Sequence, residues 1–216
     1  MGELCTKIHS ECRWRRRKEN RPAEILTAAL RLFSDKGFAL TKLNDVAKEA
    51  GVSKGTLYLY FDGKEALFKA VINEFVLPQI AKAEEQADQY SGSISELMIV
   101  LQDRWQTNIL ETELSGISKI MMAEASNFPE LAQFYLENVI LRTRSFVANL
   151  IRTGINKGEF ISCNPEYVAR AFLTPLVFSA VWKHSLAPFE KNYDVKEYHK
   201  SNLDILLRGI VKEHHG

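Results

Sequence analysis

The sequence is poor in the groups that build secreted, disulfide-stabilised or membrane-embedded proteins. Its 216 residues include three cysteines, Cys5, Cys12 and Cys163, an odd number without a CxxC pair. A disulfide framework is therefore not expected, and a reducing cytoplasm is the predicted compartment. Charged residues interrupt every apolar run well short of a membrane span, and no signal-peptide stretch follows Met1. The sequence predicts a soluble, internal protein.

Patterns that mark enzymes and metal sites are also missing. The sequence has no nucleophile elbow, no HExxH, no phosphate loop and no paired metal ligands. Cys5, His9 and Cys12 could ligate a metal ion together, but no fourth ligand lies near them, so a tail without metal is the favoured interpretation. The start MGELCT matches the short myristoylation pattern, which also arises by chance. We predict no enzymatic activity, no metal and no cofactor.

Charge is distributed unevenly along the chain. The formal net charge is +1, yet residues 1–64 hold 13 Lys/Arg against 8 Asp/Glu, whereas the remainder holds 15 against 19. The amino end is therefore basic and the rest is acidic. This asymmetry favours a chain that presents one end to nucleic acid, although ordinary variation in surface charge would look the same.

Helical periodicity runs through the sequence, and no stretch alternates as a strand does. Pro22 suits the first turn of a helix whose apolar face includes Ile25 and which Gly37 ends. The sequence predicts an all-α protein of roughly nine helices, the later ones at about 64–90, 93–108, 114–126, 129–157, 164–186 and 194–211.

Residues 41–68, TKLNDVAKEAGVSKGTLYLYFDGKEALF, are typical of two short helices joined by a tight turn. Ala47 and Gly51 lie four residues apart, which supplies a small residue where the helices touch and a glycine free to take the left-handed turn conformation. Thr41 and Ser53 stand where N-caps are expected. The spacing predicts a helix-turn-helix whose second helix lies on DNA.

The string GVSKGTLYLYFDGKEALF and the preceding helix over ILTAALRLFSDKGF resemble the signature of TetR-family transcriptional regulators, dimeric DNA-binding proteins of bacteria and archaea. A weaker resemblance, to the ligand-binding domain of the AcrR-like branch, covers residues 119–160. Together they imply a helix-turn-helix domain at 21–68, within a family domain of about 21–81, and a ligand-binding and dimerisation domain at 69–216. Residues 1–20 are expected to form a flexible basic arm.

Candidate DNA contacts lie on and beside the second helix of the motif: Thr41, Lys42, Ser53, Lys54, Gly55, Thr56, Tyr58, Tyr60 and Lys64. The hydroxyls of Thr41 and Ser53 are expected to bind phosphate oxygens. Lys54 is placed to reach a guanine edge or a phosphate, and the methyl of Thr56 to contact a thymine. Gly55 has no side chain, so the helix can sit deep in the groove.

Several of these candidate DNA contacts also have a second interpretation, as ordinary surface or core residues. Tyr58, Tyr60 and Lys64 are expected to contact the sugar-phosphate backbone. Both Lys54 and Lys64 could instead be solvated charges, and Tyr60 could be half core. The arginines within residues 13–17 could enter the minor groove as an arm or be ordinary surface, and the sequence does not separate the two.

The resemblance implies a ligand pocket among the central helices. Trp105, Met122, Phe178 and Trp182 are the predicted lining, because broad or flexible apolar side chains suit such pockets. The alternative is that these residues are core. Polar groups that could orient a ligand are Glu124, Asn138, Arg142 and His184. A small apolar or amphipathic effector is expected, and no residue pattern identifies it.

The resemblance also implies a homodimer built from the last two helices. Their small and apolar residues are Val168, Ala171, Phe172, Pro175, Leu176 and Ser179 on one helix, and Leu203, Leu206, Leu207 and Ile210 on the other. Two such helices from each subunit would form a four-helix interface, and its two-fold axis would match a palindromic operator. The alternative is that these faces close the monomer's own core.

The favoured function is a ligand-responsive repressor that leaves its operator when an effector tilts the helix after Lys64. The alternative is a DNA-binding regulator that a protein partner controls, or an activator, without a small-molecule pocket. Pro78 lies inside that helix and is expected to kink or end it near Leu77. It either makes the joint compliant or only stops the helix.

Overall fold

The computed structural model describes residues 21–212. Within that range the chain forms nine helices and no β-strand, and one isolated antiparallel bridge joins Phe160 to Val211. The all-α class and the number of helices predicted from the sequence are confirmed. The helices are α1 (21–36), α2 (Leu43–Glu49), α3 (Lys54–Tyr58), α4 (64–88), α5 (94–110), α6 (Ser115–Glu124), α7 (129–156), α8 (Pro165–Lys183) and α9 (Val195–Ile210), with a 3₁₀ turn at Ala187–Phe189.

Each of three long helices contains a π-helical segment. In α4 the segment Ile72–Val76 separates Lys64–Val71 from Leu77–Asp88. In α5, Gln106–Leu110 follows Ile94–Trp105. In α7, Leu136–Leu141 separates Pro129–Tyr135 from Arg142–Asn156.

Pro78 does not end α4. The π-helical segment closes at Val76 and the α-helix resumes at Leu77, so the proline lies in the first turn of the resumed helix. A proline cannot donate to the carbonyl four residues before it, and the wider π-helical turn accommodates that missing bond. Of the two expected outcomes, a kink or an end near Leu77, the end is wrong: the helix continues, with a local change of helix type before the proline.

The chain divides into two compact units between Glu74 and Phe75, inside the π-helical segment of α4. The core of the first unit contains three aromatic rings, Phe33, Phe38 and Phe68, each at most 1% exposed and with ring centroids 5.3–5.5 Å apart. Gly37, at φ +81°, ends α1 as predicted. The left-handed conformation turns the chain so that Phe38 can face the other two rings.

Helices α5, α7, α8 and α9 build the core of the second unit. Its buried members are Ile94, Met98, Val147, Ala148, Ile151, Phe160, Ala169, Phe172, Leu176, Leu203 and Ile210. Gly154 of α7 belongs to this packing, because a Cβ at that position would lie 2.3 Å from the ring of Phe160. The ring packs directly on the helix backbone, and this close approach requires the glycine.

Five of the residues that the sequence predicts for the dimer on α8 and α9 are buried within the single chain. Phe172, Leu176, Ser179, Leu203 and Ile210 are at most 6% exposed within the single chain. These residues close the monomer's own core, which was the alternative interpretation of the same pattern. Of the other residues predicted for the dimer, Ala171 is exposed, and the rest are partly buried: Val168, Pro175, Leu206 and Leu207.

A carboxylate of the loop after α7 caps α5. Glu159 accepts hydrogen bonds from the backbone N–H groups of Ile94 (2.8 Å) and Ser95 (2.7 Å) and from the Ser95 hydroxyl (2.5 Å). Burial raises the pKa of Glu159, but these hydrogen bonds and the charge of Lys157 outweigh it, so the pKa is lowered overall. The charged carboxylate therefore holds the start of α5 against the end of α7.

Candidate nucleic-acid interface

Helices α2 and α3 form the helix-turn-helix that the sequence predicts. Gly51 has φ +63°, the left-handed conformation expected of it. The turn closes with a hydrogen bond of 2.9 Å from the N–H of Val52 to the carbonyl of Ala47. Ala47 and Leu57 are buried, at 3% and 0% exposed, so the two helices are anchored to the first unit by their inner faces.

Ser53 is the N-cap of α3, as predicted. Its Oγ accepts a hydrogen bond from the N–H of Thr56 at 3.0 Å and lies 2.9 Å from the Thr56 hydroxyl. The two hydroxyls therefore share one hydrogen bond at the exposed start of the helix. This cap fixes the first turn of α3, which carries Lys54 and Gly55.

Thr41 does not have the role expected from the sequence. Lys42, whose side chain makes no capping bond, is the N-cap of α2. The Thr41 side chain is 1% exposed, and its hydroxyl lies 2.7 Å from the carbonyl of Gly37 and 3.1 Å from that of Leu32. It satisfies the carbonyls at the end of α1 and is not exposed to a phosphate.

Lys64 also points at the protein. Its ammonium donates to the carbonyls of Phe38 (2.8 Å) and Ala39 (3.1 Å). The same group lies 4.5 Å from the centroid of the Phe38 ring. The structure therefore places Lys64 as a tie between the start of α4 and the turn after α1, whereas the sequence suggested a phosphate contact.

The outer face of α3 is made of exposed side chains. Lys54, Gly55 and Tyr58 of α3 are exposed, and so is Tyr60 in the turn that follows; the two tyrosines are 44% and 36% exposed. The ammonium of Lys54 lies 5.7 Å from the centroid of the Tyr58 ring, one helical turn away. A Cβ on Gly55 would meet only Ser53 Oγ, at 3.8 Å. The protein itself therefore does not require a glycine at position 55.

Sequence reasoning missed two exposed leucines in the first unit. Leu40 is 74% exposed in the loop before α2, and Leu59 is 82% exposed at the end of α3. An apolar residue beside a helical motif is usually assigned to the core, so only its position on the helical wheel, opposite Leu57, could have singled out Leu59.

Some of the basic residues of the first unit form ion pairs with acidic residues of the same unit. Arg31 of α1 pairs with Glu49 of α2 at 3.2 Å, and Lys36 lies 3.8 Å from Asp45. Lys42, by contrast, is exposed at the start of α2. The basic arm at 13–17 and the Cys5, His9 and Cys12 group lie outside the described residues.

Residues 21–212 contain no group of three or more His, Cys, Asp or Glu side chains that could hold a metal ion. None of the helices described between residues 21 and 212 combines the length and the apolar character that a membrane span requires.

Two of the four predicted pocket residues are exposed in the single chain. Met122 is 63% exposed on α6, which contradicts an enclosed position, and Phe178 is 50% exposed. Phe178 and Trp182 pack together on α8, with ring centroids 5.5 Å apart. Trp105 is half-buried and its ring lies 5.8 Å from that of His199.

The polar residues considered for a ligand make contacts within the second unit. Arg142 donates two hydrogen bonds to Glu84, at 2.9 and 2.5 Å, and this carboxylate raises the pKa of Arg142. His184 Nε2 lies 2.8 Å from the hydroxyl of Ser115, and Asn138 donates to the carbonyl of Phe134. Glu124 accepts from the Asn127 amide at 3.0 Å.

A buried polar cluster joins α5, α8 and α9. His199 is 1% exposed, and its ring lies 2.8 Å from Ser179 Oγ and 3.4 Å from Gln106 Oε1. Burial lowers the pKa of His199 more than the backbone carbonyl of Pro175 raises it. The imidazole is therefore held neutral between hydrogen-bonding partners.

A small cleft of about 190 Å³, open to solvent, lies beside this cluster on α5, α8 and α9. Its lining is Gln102, Ala171, Phe172, Pro175, Asn202, Leu203 and Leu206. Only about 10 Å³ of that space can hold the centre of a water molecule, so the cleft is far smaller than the pockets of about 300–1,000 Å³ that hold drug-sized ligands. It lies on the face that the sequence predicts for the dimer.

Two family models match the chain. One, described as bacterial regulatory proteins of the TetR family, matches residues 25–71, which contain α2, α3 and the start of α4. The other, described as the C-terminal domain of AefR-like transcriptional repressors, matches residues 96–202.

The chain is also similar to individual transcriptional regulators. The uncharacterised HTH-type transcriptional regulator YfiR of Bacillus subtilis is 32% identical over 159 residues, which are 72% of this chain and 76% of that protein. The fatty acid metabolism regulator protein of Bacillus subtilis is 24% identical over 89% of this chain and 98% of that protein. The crystal structure of FadR from Bacillus subtilis in complex with stearoyl-CoA is similar in fold, with a TM-score of 0.72 and 21% identity over 87% of this chain and 98% of that one.

Proposed function

The chain belongs to the TetR family of transcriptional regulators, and on that premise we propose that it is a cytoplasmic, ligand-responsive repressor that binds a palindromic operator as a homodimer. The observation that carries the proposal is the outer face of α3, where Lys54, Gly55 and Tyr58 are exposed. Its inner face is anchored by Leu57. Such a helix fits the major groove of DNA. The relatives are transcriptional regulators, and no enzymatic role is proposed.

Each exposed residue of α3 has a task in this proposal. Lys54 is close enough to Tyr58 to be held over its ring until it reaches a guanine edge or a phosphate. Gly55 is open to the outside, so a DNA backbone or base edge can approach the helix there. The hydroxyls of Tyr58 and Tyr60 donate to phosphate oxygens, and Lys42, exposed at the start of α2, supplies further positive charge.

In this proposal Thr41 and Lys64 act indirectly, by positioning the helices that contact DNA. The Thr41 hydroxyl donates to the carbonyl of Gly37, directly after α1. The Lys64 ammonium donates to the carbonyls of the next two residues, Phe38 and Ala39. They fix the turn from which α2 begins. We therefore assign them to positioning the helix-turn-helix within a DNA-binding domain at 21–68.

The exposed apolar residues of α8 and α9 support the homodimer. Tyr167 and Phe178 on α8 are 70% and 50% exposed, and Ile205 on α9 is 71% exposed. Ala171 lies between the two aromatic residues on the same face of α8 and is also exposed. Large exposed apolar faces of this kind mark protein interfaces. To enter successive major grooves of an operator, the two copies of α3 in such a homodimer must lie about 34–36 Å apart, one turn of DNA.

Sedimentation of the purified chain tests the homodimer. Ile205→Glu is expected to convert a dimer to a monomer, because it places a charge in an apolar contact. Ile99→Glu, at a 46% exposed residue of α5, is the matched control and should sediment as the wild type. A dimer that survives both Ile205→Glu and Phe178→Glu would place the interface elsewhere.

We propose that the effector is apolar or amphipathic and binds in the domain at 69–216. Two similar proteins support this: a fatty acid metabolism regulator, and a FadR structure that contains stearoyl-CoA. Trp105 and Trp182 are the residues of the predicted lining that remain half-buried. Trp182 has a partner for its indole N–H, Glu190 at 2.8 Å, so its ring is held in place.

Operator binding in the presence of stearoyl-CoA tests this role. The acyl-CoA is expected to lower the affinity for a selected DNA duplex, and Trp182→Leu is expected to weaken that effect while DNA binding without the acyl-CoA stays as in the wild type. Free stearate and coenzyme A, assayed separately, show which part is recognised. Operator binding that no lipid or other small apolar compound changes would favour the alternative, control by a protein partner or action as an activator.

A further inference from the structure

The end of α3 presents an apolar side chain to solvent. Leu59 is 82% exposed, the largest exposed fraction among the large apolar side chains described in the first unit. Its backbone is still helical, with φ −69° and ψ −21°, and its N–H donates to the carbonyl of Gly55 at 3.2 Å. Leu59 is therefore the cap that closes α3 after Tyr58, and it continues the surface of the helix.

Helical geometry places Leu59 on the outermost line of α3. At 3.6 residues per turn, Gly55 and Leu59 lie about 160° and 200° around the helix from Leu57. Leu57 is 0% exposed and marks the inward direction. The two residues that point most directly away from the protein are thus a glycine and a leucine, one turn apart.

The residues on either side are polar. Lys54 and Tyr58 share one flank, where the ammonium lies 5.7 Å from the ring centroid. Thr56, on the other flank, lies with its hydroxyl 2.9 Å from Ser53 Oγ. Between these flanks the surface offers open space at Gly55 and then the isobutyl group of Leu59.

We propose that Leu59 packs against the C5-methyl group of a thymine and so selects T at one position of each operator half-site. This rests on the proposed function, in which α3 enters the major groove. A leucine side chain has no donor or acceptor, so it cannot read a base by hydrogen bonds or bind a phosphate. The thymine methyl is the apolar group that bases present in the major groove, and it matches the side chain in chemistry.

Deoxyuridine tests this directly, because it pairs like thymine but lacks the methyl group. Duplexes are first selected from a random pool by the wild-type protein, and each thymine is then replaced by deoxyuridine. At one symmetry-related pair of positions the replacement should lower wild-type affinity by about fourfold per half-site, the value for burying one methyl-sized group. Leu59→Ala should bind the thymine and deoxyuridine duplexes equally well.

Leu40→Ala is the matched control, since Leu40 is a 74% exposed leucine of the same unit that is not on α3. It should keep the wild-type sensitivity to deoxyuridine. Leu59→Gln gives a second measurement: repeated selection should yield a different base at the sensitive position. A Leu59→Ala variant with the wild-type deoxyuridine profile, or a selected site without any methyl-sensitive thymine, overturns the inference alone. Failure of the wild-type protein to select any sequence would refute the proposed function, and the inference with it.

Discussion

The ammonium of Lys64 lies 2.8 Å from the carbonyl oxygen of Phe38 and 4.5 Å from the centroid of that residue's ring. One side chain thus caps a backbone carbonyl and covers a ring of the aromatic core at the same time. Phe38 is 1% exposed, so Lys64 closes the edge of the core of the first unit.

Replacing Lys64 tests whether this contact stabilises the protein. Lys64→Ala is expected to lower the free energy of unfolding by about 1–2 kcal/mol, because charge-assisted hydrogen bonds to two carbonyls are lost at a partly exposed site. Urea unfolding followed by circular dichroism measures it. Lys48→Ala, at an exposed lysine of α2, should change stability by less than about 0.5 kcal/mol. Unchanged stability of Lys64→Ala, with a salt slope of DNA binding reduced by about one unit, would restore the phosphate contact expected from the sequence.

Lys54 is expected to read a base. Lys54→Ala should lose about 1–3 kcal/mol of discrimination at one base step if the contact is bidentate to guanine. Lys42→Ala, at the exposed start of α2, should weaken binding to all sequences similarly. Affinities for a selected operator and a scrambled duplex, across salt concentrations, separate the two effects. Equal losses on both duplexes for Lys54→Ala would exclude base reading.

The buried imidazole of His199 predicts a loss of stability in mild acid. Its pKa in the folded chain lies below the ordinary value, so the unfolded chain binds the proton first as the pH falls. The free energy of unfolding should therefore decrease as the pH falls from about 6.5 through the lower pKa of the folded state. His199→Gln, which can still bond to Ser179, should flatten this part of the profile.

Thermal unfolding at several pH values between about 5 and 8 measures this dependence. His184→Gln is the control, because His184 also contacts a serine hydroxyl, that of Ser115. A His199→Gln profile as steep as that of the wild type would mean that other groups cause the acid sensitivity.

Pro78 follows the π-helical segment of α4, within which the two compact units divide. Pro78→Ala supplies the missing N–H and should favour a straight, uninterrupted α-helix over the π-helical segment. If the π-helical segment carries the opposition between effector and DNA, the ratio of operator affinities with and without effector should change as well. If the free energy of unfolding rises and the ratio of operator affinities stays unchanged, Pro78 affects only the local structure of the helix.

Two truncations test the amino end, which lies outside the described residues. Removing residues 1–12 should leave folding and DNA binding nearly unchanged, because that segment shows no apolar helical face. Removing residues 1–18 takes away the arginine run and should weaken binding and flatten its salt dependence. An unchanged affinity of the longer truncation would make the arginines ordinary surface.

The sequence predicted what depends on local chemistry. Gly37 and Gly51 have the left-handed backbone expected of them, and Ser53 caps α3, because each follows from a few neighbouring residues. Thr41 and Lys64 stand where the sequence predicts helix starts, and that position favours phosphate contacts. Their actual partners belong to the end of α1 and the turn after it, a tertiary contact that no local pattern contains.

The same limit applies to the second unit. The apolar pattern of α8 predicts both a buried face and an interface, but it does not distinguish the residues of one from those of the other. Phe172 is 6% exposed, for example, whereas Tyr167 is 70% exposed. Periodicity reports which face is apolar, and the packing of neighbouring helices decides which part of that face stays uncovered.

The bridge between Phe160 and Val211 has a practical consequence. The N–H of Ile161 donates to the carbonyl of Ile210 at 2.8 Å, and the N–H of Lys212 donates to that of Glu159 at 2.9 Å. Glu159 is also the carboxylate that caps α5, so the backbone at residues 210–212 is hydrogen-bonded beside the residue that caps a core helix. An affinity tag or fluorescent fusion joined directly to Ile210 would break this fastening, whereas a flexible spacer placed after Lys212 leaves it intact.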